Sequence, residues 1–521
     1  MRHGDSMSQL GRISGVLLPV FSLRSRGDFG IGDFGAGPSF LEWLAAAGQK
    51  LWMLLPLLPT APGDASPYSC KCAFGLNPLF IDLSQVEEFR DAGGEASLSE
   101  AERAQLAEAR ASRRVRYELV FPLKGRALRS AFARFEAQAS GPRRQAFEAF
   151  SQAQAVWLDT YALYAAVSQD QEQRPWWEWP RGIKERDPSA LAAVRARLGP
   201  EVRFQAWLQW QAHSQWQGLR EAARARGIQL GGDEPFIIGQ DSADAWANPT
   251  LLRRDARLGV PPDDFSADGQ DWGLPYFDFA AMEKDGYAWL KLRARMAARD
   301  YDVRRVDHAV GYFRQWIRDE KTPKGRFIPA DEVSQKALGE RHFKLLSADA
   351  DIIAEDLGVI PPFVRQVLGK LSLPGYKVMR WERDDGVWRD PRKYPVTSLA
   401  CTGTHDTEPL ADWWEGATDA ERLAVVRAYP EFEGWQGAPR EFKPEVHHGL
   451  LAAAERSASA YCVLPWQDVL GSRERVNLPG SQSDANWAYR IPQDATELLT
   501  DAETKGALEH LRALTQAGGR L

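Results

Sequence analysis

The stretch DIIAEDLGVI (residues 351–360) runs three apolar residues, Ile352 to Ala354, into two adjacent carboxylates, Glu355 and Asp356, before Gly358. A short run that is apolar throughout, rather than alternating, suits a strand covered on both faces, as in a parallel sheet flanked by helices. The same design recurs along the chain. Candidate strands are GVLLPV (15–20), KLWMLLPL (50–57), IQLGGDEPFII (228–238), YDVRRVDH (301–308), DIIAED (351–356), YKVMRWE (376–382), SLACTGTHD (398–406) and YCVLPWQD (461–468). Longer stretches of helical periodicity separate them. Eight such βα units predict an α/β fold, a (β/α)8 TIM barrel, with residues 1–521 forming one catalytic domain around one core.

Two departures from a minimal barrel stand out. Between the second and third strands lies an oversized gap, residues 84–227, rich in Ala, Glu and Arg with apolar residues at helical spacing. It predicts a large helical insertion, including a helix that follows the "DPS" of residues 187–189. The second is GVPPDDFSADGQDWGLPYFDF (259–279), dense in Pro, Gly, Asp and aromatics. That composition predicts a long lid loop.

The bulk numbers exclude several classes. The chain has 521 residues, 44% of them hydrophobic, and a net charge of −6 with both signs interspersed. No basic footprint argues for nucleic acid. The first ten residues contain no apolar run of the signal-peptide kind, and GVLLPVF is too short to span a membrane. The four cysteines, Cys70, Cys72, Cys401 and Cys462, do not make a disulfide framework in a chain this long, and the lone CxC pair has no second pair to complete a zinc site. The expected setting is cytoplasmic.

Several predicted strands end in acids: Asp233 after LGG, Asp307 after RRV, Glu355 after IIA and Asp406 after TGTH. An acid just after a strand is also a common turn former or helix N-cap. In a barrel, however, the C-terminal strand ends gather at one mouth, so acids from separate strands can converge. Arg305 precedes Asp307 by two residues and shares its side of the strand. A guanidinium beside a carboxylate favours its ionised form, which suits a nucleophile. With His308 and His405 nearby, a metal site is an alternative, but each His neighbours an acid in a strand and so faces away from it unless the strand has ended. Retaining glycoside chemistry needs an ionised nucleophile, a protonated acid and charge stabilisation, which three carboxylates supply without a metal.

These residues resemble the amylomaltases, the 4-α-glucanotransferases or disproportionating enzymes of glycoside hydrolase family 77. The resemblance rests on RISGVLLPVFSL, FGIGDFG, AAAGQKLWMLLPLLPT, SPYSCKCAFGLNPLFIDL, GDEPFIIGQDSADAWANP, GVPPDDFSADGQDWG, RRVDH, AEDLGVI, TGTHDTEPL and RVNLPGSQSDANWAYR, in order and nearly end to end. It implies Asp307 as nucleophile, Glu355 as general acid/base and Asp406 as the acid that grips sugar hydroxyls and stabilises the transition state. It also implies Arg305, His405, Asp233 and Tyr68 at the donor subsite, Trp272 stacking on the glucan from the lid, and Asn477 reaching it from the C-terminal loop. Neither metal nor organic cofactor is implied. The implied partners are α-1,4-glucans and maltooligosaccharides, with glucose as acceptor. Met53, Leu274 and the segments 309–318 and 376–385 depart from the family pattern around the subsites, not at the three acids. The resemblance implies transfer by double displacement through a β-glycosyl-enzyme; the alternative is an α-1,4-glucan hydrolase using the same trio. Of the two adjacent acids in the opening stretch, period-two alternation turns Glu355 toward the mouth and Asp356 away from it.

Overall fold

The structure, a computed structural model, describes residues 11–262, 269–319 and 324–521. Eight parallel strands close into a barrel: β1 (Ile13–Leu17), β2 (Leu51–Met53), β3 (Gln229–Glu234), β4 (Val303–Val306), β5 (Asp351–Ala354), β6 (Gly375–Val378), β7 (Ser398–Cys401) and β8 (Tyr461–Pro465). Their order around the barrel follows the chain, and β8 closes on β1 with Ile13 opposite Tyr461 and Leu17 opposite Pro465. All eight expected strands are present. Each is shorter than the run that announced it; at β4, β5 and β7 the backbone leaves the sheet before the acids.

The strands are buried on both faces. Leu51, Met53, Val303, Ile353, Val378, Leu399, Cys401 and Val463 fill the barrel interior as one cluster. The outer face packs on helices, with Trp43, Trp52 and Trp466 fully buried in one aromatic group beside Phe40. Close approach dictates glycine at Gly232, where a Cβ would lie 2.3 Å from the Tyr301 ring. Among the described residues the β6–β7 connection contains no α-helix, only a 3-10 turn and a two-residue hairpin (Arg383–Asp384 with Val387–Trp388).

Between β2 and β3 run the helices Glu100–Ala111, Tyr117–Gln138, Gly141–Ala153, Ala155–Asp170, Pro188–Arg197 and Gly199–Ala225, with shorter ones among them. Their starts are chemically marked. Ser99 and Glu102 form a capping box, Ser140 accepts from Arg143 N, and Asp187 of the "DPS" accepts from Ala190 N. The last helix, Gly199–Ala225, also serves the barrel: Trp216 packs on Tyr301 and donates its indole N–H to the Asp300 carbonyl.

The stretch 259–279 differs from the expected loop. Strand Leu252–Val260 pairs antiparallel with Gln270–Phe277 and with Gln315–Arg318, which pairs with Arg326–Ile328, giving a four-stranded sheet. Long-range pairing to residues 315–318 overrides the turn-rich local composition. Residues 263–268 of the expected lid lie outside the described residues. No helix among the described residues is long and apolar enough to cross a membrane.

Under the barrel, opposite the mouth, Arg520 fastens the β8–β1 seam. Its guanidinium donates to the carbonyls of Glu455, Ser457, Ser459, Ala460 and Ile13 at 2.7–3.2 Å. The Glu455 carboxylate beneath it accepts from Ser14 Oγ at 2.6 Å. Burial pushes Glu455 up to about 7 against the lowering effects of Ser14 and Arg520. Arg520→Ala should therefore lower stability by about 3 kcal/mol or more, because it strips one partner from a buried charged pair and removes a donor from five carbonyls, of which those of Glu455, Ser457 and Ala460 keep another. Urea unfolding checks this: a marked fall in midpoint is expected, and an unchanged midpoint rules out the fastening role.

Candidate active site

The C-terminal ends of β3, β4, β5 and β7 deliver four acids to one mouth, and a single guanidinium links three of them. Arg305, on β4, has a side chain only 8% exposed. Its Nη1 donates to both oxygens of Asp233 at 2.7 and 2.9 Å and lies 2.9 Å from Asp307 Oδ1. Its Nη2 lies 4.0 Å from Glu355 Oε2. Below it the Tyr376 ring presents its face at 5.8 Å, and Leu17, Met53, Leu399, Cys401 and Val463 complete an apolar floor. In so dry a setting the ion pair and its neighbours interact strongly.

Alternation along β3, and its continuation just past the end of β5 where Glu355 N bonds the Val306 carbonyl, sorts the acids. Asp233 points in, while Glu234 points out to accept from Arg304 Nη1 at 2.8 Å. Glu355 reaches the mouth, where its Oε2 accepts from His308 N at 2.8 Å and its Oε1 from Leu357 N at 3.0 Å. Asp356 turns away: its Oδ1 accepts from Tyr376 N at 2.7 Å and its Oδ2 from Arg365 Nε at 3.1 Å. Gly375 lets that carboxylate sit against the start of β6, since a Cβ there would be 2.7 Å from Oδ1.

The two histidines meet the exception that the sequence left open, since the strands end before them. β4 ends at Val306 and β7 at Cys401, so His308 and His405 lie beyond the strands, and His405 shares the mouth with its neighbouring acid. His405 Nε2 lies 3.4 Å from Asp406 Oδ2 and 3.0 Å from the Tyr68 hydroxyl oxygen. That hydroxyl donates its one proton to Asp233 Oδ2 at 2.7 Å, so His405 Nε2 carries the proton of the bond they share. Asn477 Nδ2 donates to Asp406 Oδ1 at 2.6 Å, and Arg475 holds the Asp406 carbonyl at 2.7 Å. His308 adopts a left-handed backbone, φ 44°, which aims its N–H at Glu355. Its ring is wedged between Phe236 at 5.4 Å and Trp272 at 5.0 Å. Trp272 therefore meets the neighbour of Asp307, edge-on to His308, from the strand Gln270–Phe277.

The electrostatics separate the carboxyls. Burial pushes Glu355 up to about 8; Arg305 opposes this, the Asp307 charge adds to it, and the two backbone N–H groups lower it in part. Burial would also raise Asp406, but His405, Asn477 and Arg305 outweigh it and hold the group at about 2. Burial drives the His308 imidazole down to about 4. Carboxyls whose environments push them apart in this way can divide acid and anion roles at one pH. Side-chain exposure rises from 1% at Asp233 through 11% at Glu355 and 25% at Asp307 to 44% at Asp406, so the mouth opens toward the last two.

The mouth thus gathers eight of the nine residues singled out in the sequence, with Trp272 joined to them through His308. Sequence reasoning missed three neighbours. Tyr376 underlies Arg305, Arg475 holds the Asp406 backbone, and Trp487 packs on Tyr68 and His405 at 5.5 and 5.8 Å. Trp487 and Arg475 fall within or beside the C-terminal motif, but nothing in a linear motif shows which of its side chains reach the mouth. A larger cleft of about 400 Å³ lies elsewhere, between residues 59–62 and the helices Tyr117–Gln138, Ala155–Asp170 and Gly199–Ala225, and contains none of the acids.

Comparison with known proteins places the chain in a family. Residues 18–496 match the family described as 4-alpha-glucanotransferase. The chain is 35% identical over 502 residues to a 4-alpha-glucanotransferase of Thermus thermophilus, covering 93% of this chain and 95% of the relative. It is 33% identical to the chloroplastic/amyloplastic 4-alpha-glucanotransferase of Solanum tuberosum, covering 98% and 87%. Its backbone is similar to that of the amylomaltase from Streptococcus agalactiae solved in complex with acarbose, with a TM-score of 0.83 at 27% identity over 98% of this chain and 99% of that one. The chain belongs to the 4-alpha-glucanotransferase family, glycoside hydrolase family 77, and is an enzyme of that type.

Proposed function

We propose that the enzyme moves segments of an α-1,4-glucan to the 4-hydroxyl of an acceptor glucose or glucan by a retaining double displacement. Asp307 attacks the anomeric carbon, and the glycosidic bond breaks as Glu355 gives its proton to the departing oxygen. A β-glycosyl ester forms on Asp307. After the reducing-end fragment leaves, an acceptor 4-hydroxyl attacks the same carbon, passes its proton to the Glu355 carboxylate and releases Asp307. Two inversions give net retention. Asp406, Asp233, Arg305, His405, Tyr68 and Asn477 grip the donor sugar and the charge that develops on it.

One observation carries this reading. The same Arg305 guanidinium pairs with Asp307 at 2.9 Å yet stands 4.0 Å from Glu355, whose burial keeps it protonated near neutral pH. Glu355 is therefore held as an acid beside a carboxyl that the guanidinium grips, the pairing that double displacement uses. The strand pair Leu252–Val260 and Gln270–Phe277, with Trp272 against His308, supports a lid that shields the glycosyl ester from water. Four free, buried cysteines support a cytoplasmic setting.

Incubation with maltotriose tests the reading. Transfer should yield glucose and a ladder of longer maltooligosaccharides, and Asp307→Asn should lower the rate by about a thousandfold or more. Glucose and maltose alone would mark a hydrolase, and an active Asp307→Asn would remove the nucleophile assignment.

Because Glu355 must be protonated to act first as an acid, kcat/KM should fall as pH rises through about 8, the value to which burial lifts it. Glu355→Gln should abolish turnover of ordinary glucans. Substantial activity in Glu355→Gln with the same basic limb would assign that limb to another group.

Asp356→Asn should behave differently from its neighbour. It keeps an acceptor for Tyr376 N but loses the charge facing Arg365, so a stability loss of about 1–2 kcal/mol is expected with turnover largely kept. Thermal unfolding beside steady-state rates distinguishes the two substitutions, and identical losses of turnover would refute the opposed facing of Glu355 and Asp356.

A further inference from the structure

Asn477 brings the C-terminal segment to the mouth, but Trp487 fixes that segment in place. Its φ is 61°, in the left-handed region that bulky side chains avoid. Such conformations persist where surrounding contacts enforce them, and they gather at functional sites. Here the enforcing contacts come from two directions. The Trp487 N–H donates to the Val476 carbonyl at 2.8 Å, which closes the loop that carries Asn477. Its carbonyl accepts the Tyr117 hydroxyl at 2.8 Å, and the next residue, Ala488, accepts from Val115 N at 2.8 Å. Arg114 and Tyr489 add an antiparallel bridge, so the helical region between β2 and β3 holds the turn from outside.

The turn presents the indole to two rings. Tyr68 lies 5.5 Å away at 52°, and His405 lies 5.8 Å away at 42°. Tyr68 and His405 also stack on each other at 5.4 Å. Through them the Tyr68 hydroxyl joins Asp233 to His405, and His405 joins Asp406. Trp487 thus backs the immediate partner of each of these two acids.

We propose that Trp487 is a positioning residue for the transfer reaction: its left-handed turn presses the indole onto Tyr68 and His405 and so fixes the hydroxyl–imidazole–carboxylate chain from Asp233 to Asp406. The proposal rests on the reading in which those acids grip the donor sugar. It also gives the helical region a share in the site, through Tyr117 and Val115, although none of its residues reaches the acids' oxygens.

The test uses the full chain and the maltotriose reaction, with kcat, KM and thermal unfolding measured together. Trp487→Gly keeps the left-handed turn accessible and removes the ring. Its kcat/KM should fall about tenfold to a hundredfold, chiefly in kcat, as expected when reacting groups are misplaced by an ångström or less. Trp487→Phe, which keeps a flat ring, should recover most of the loss. Combined with Tyr68→Phe, the glycine substitution should add little: the double variant should stay within about twofold of the poorer single one, whereas independent effects multiply. If Trp487→Gly does not fold, Trp487→Asn, which tolerates the same backbone region, takes its place. Wild-type kcat/KM in the ring-less variant, or a double variant at the product of the singles, would overturn the proposal. Asp406→Asn separates the two layers: if it is inactive while Trp487 variants are unimpaired, only the positioning role fails, and if it is active, the reading beneath it fails.

Discussion

The contact on which the site depends is the Arg305 guanidinium shared between Asp233 and Asp307 over an apolar floor. Gathering four carboxyls at one barrel mouth is unfavourable by like-charge repulsion and by burial. One buried cation makes it tolerable, and it does so unequally. Asp233 meets Nη1 with both oxygens, Asp307 meets the same nitrogen with one, and Glu355 is left 4.0 Å from Nη2, where burial prevails and keeps the proton on. The inequality is fixed by strand register. Arg305 and Asp307 are two residues apart on one strand end, Asp233 sits opposite Arg305 on β3, and Ile353, opposite Arg305 on β5, precedes Glu355 by two. A one-residue slip would turn each side chain to the other face of its strand and dissolve the arrangement.

Around that contact the supporting residues come from distant parts of the chain. Tyr68 belongs to the β2–β3 region, His405 and Asp406 to the loop after β7, and Asn477 and Trp487 to the segment after β8. Main-chain bonds fix part of this frame: His308 N to Glu355, Asn477 N to the His405 carbonyl, and Trp487 N to Val476. Backbone donors cannot swing away as side-chain rotors can, so Glu355, which accepts two of them, keeps its place before any sugar arrives.

The barrel was legible in the chain because burial on both faces writes itself as unbroken apolar runs, and eight of these alternated with helical spacing. The acids were legible because they followed those runs. Less visible was where each strand would stop: the apolar run continues into residues that already turn over the mouth, so the facing of His308 and His405 hung on strand ends that the sequence does not mark. The paired strands at 252–260 and 270–277 were hidden by their own Gly, Pro and Asp content, since partners near residue 317 supply what local propensity lacks. Trp487 was unreadable for another reason. Its left-handed backbone is imposed by Tyr117 and Val476, and no pattern within ten residues of it encodes that.

The seam between β1 and β8 has a consequence for biosynthesis. Arg12 bonds the carbonyl of Glu455, 443 residues downstream, and β1 gains its second neighbour only when β8 is made. At ribosomal speeds of about 5–20 residues per second, that edge waits about 20–90 seconds for its partner. Throughout that interval an apolar strand with unpaired N–H and C=O groups is exposed on the nascent chain, and the helical region and the first six barrel strands are synthesised before β7 and β8 can close the cylinder. The ring order that makes the finished barrel seamless thus leaves its first strand to be completed last, by the last one made.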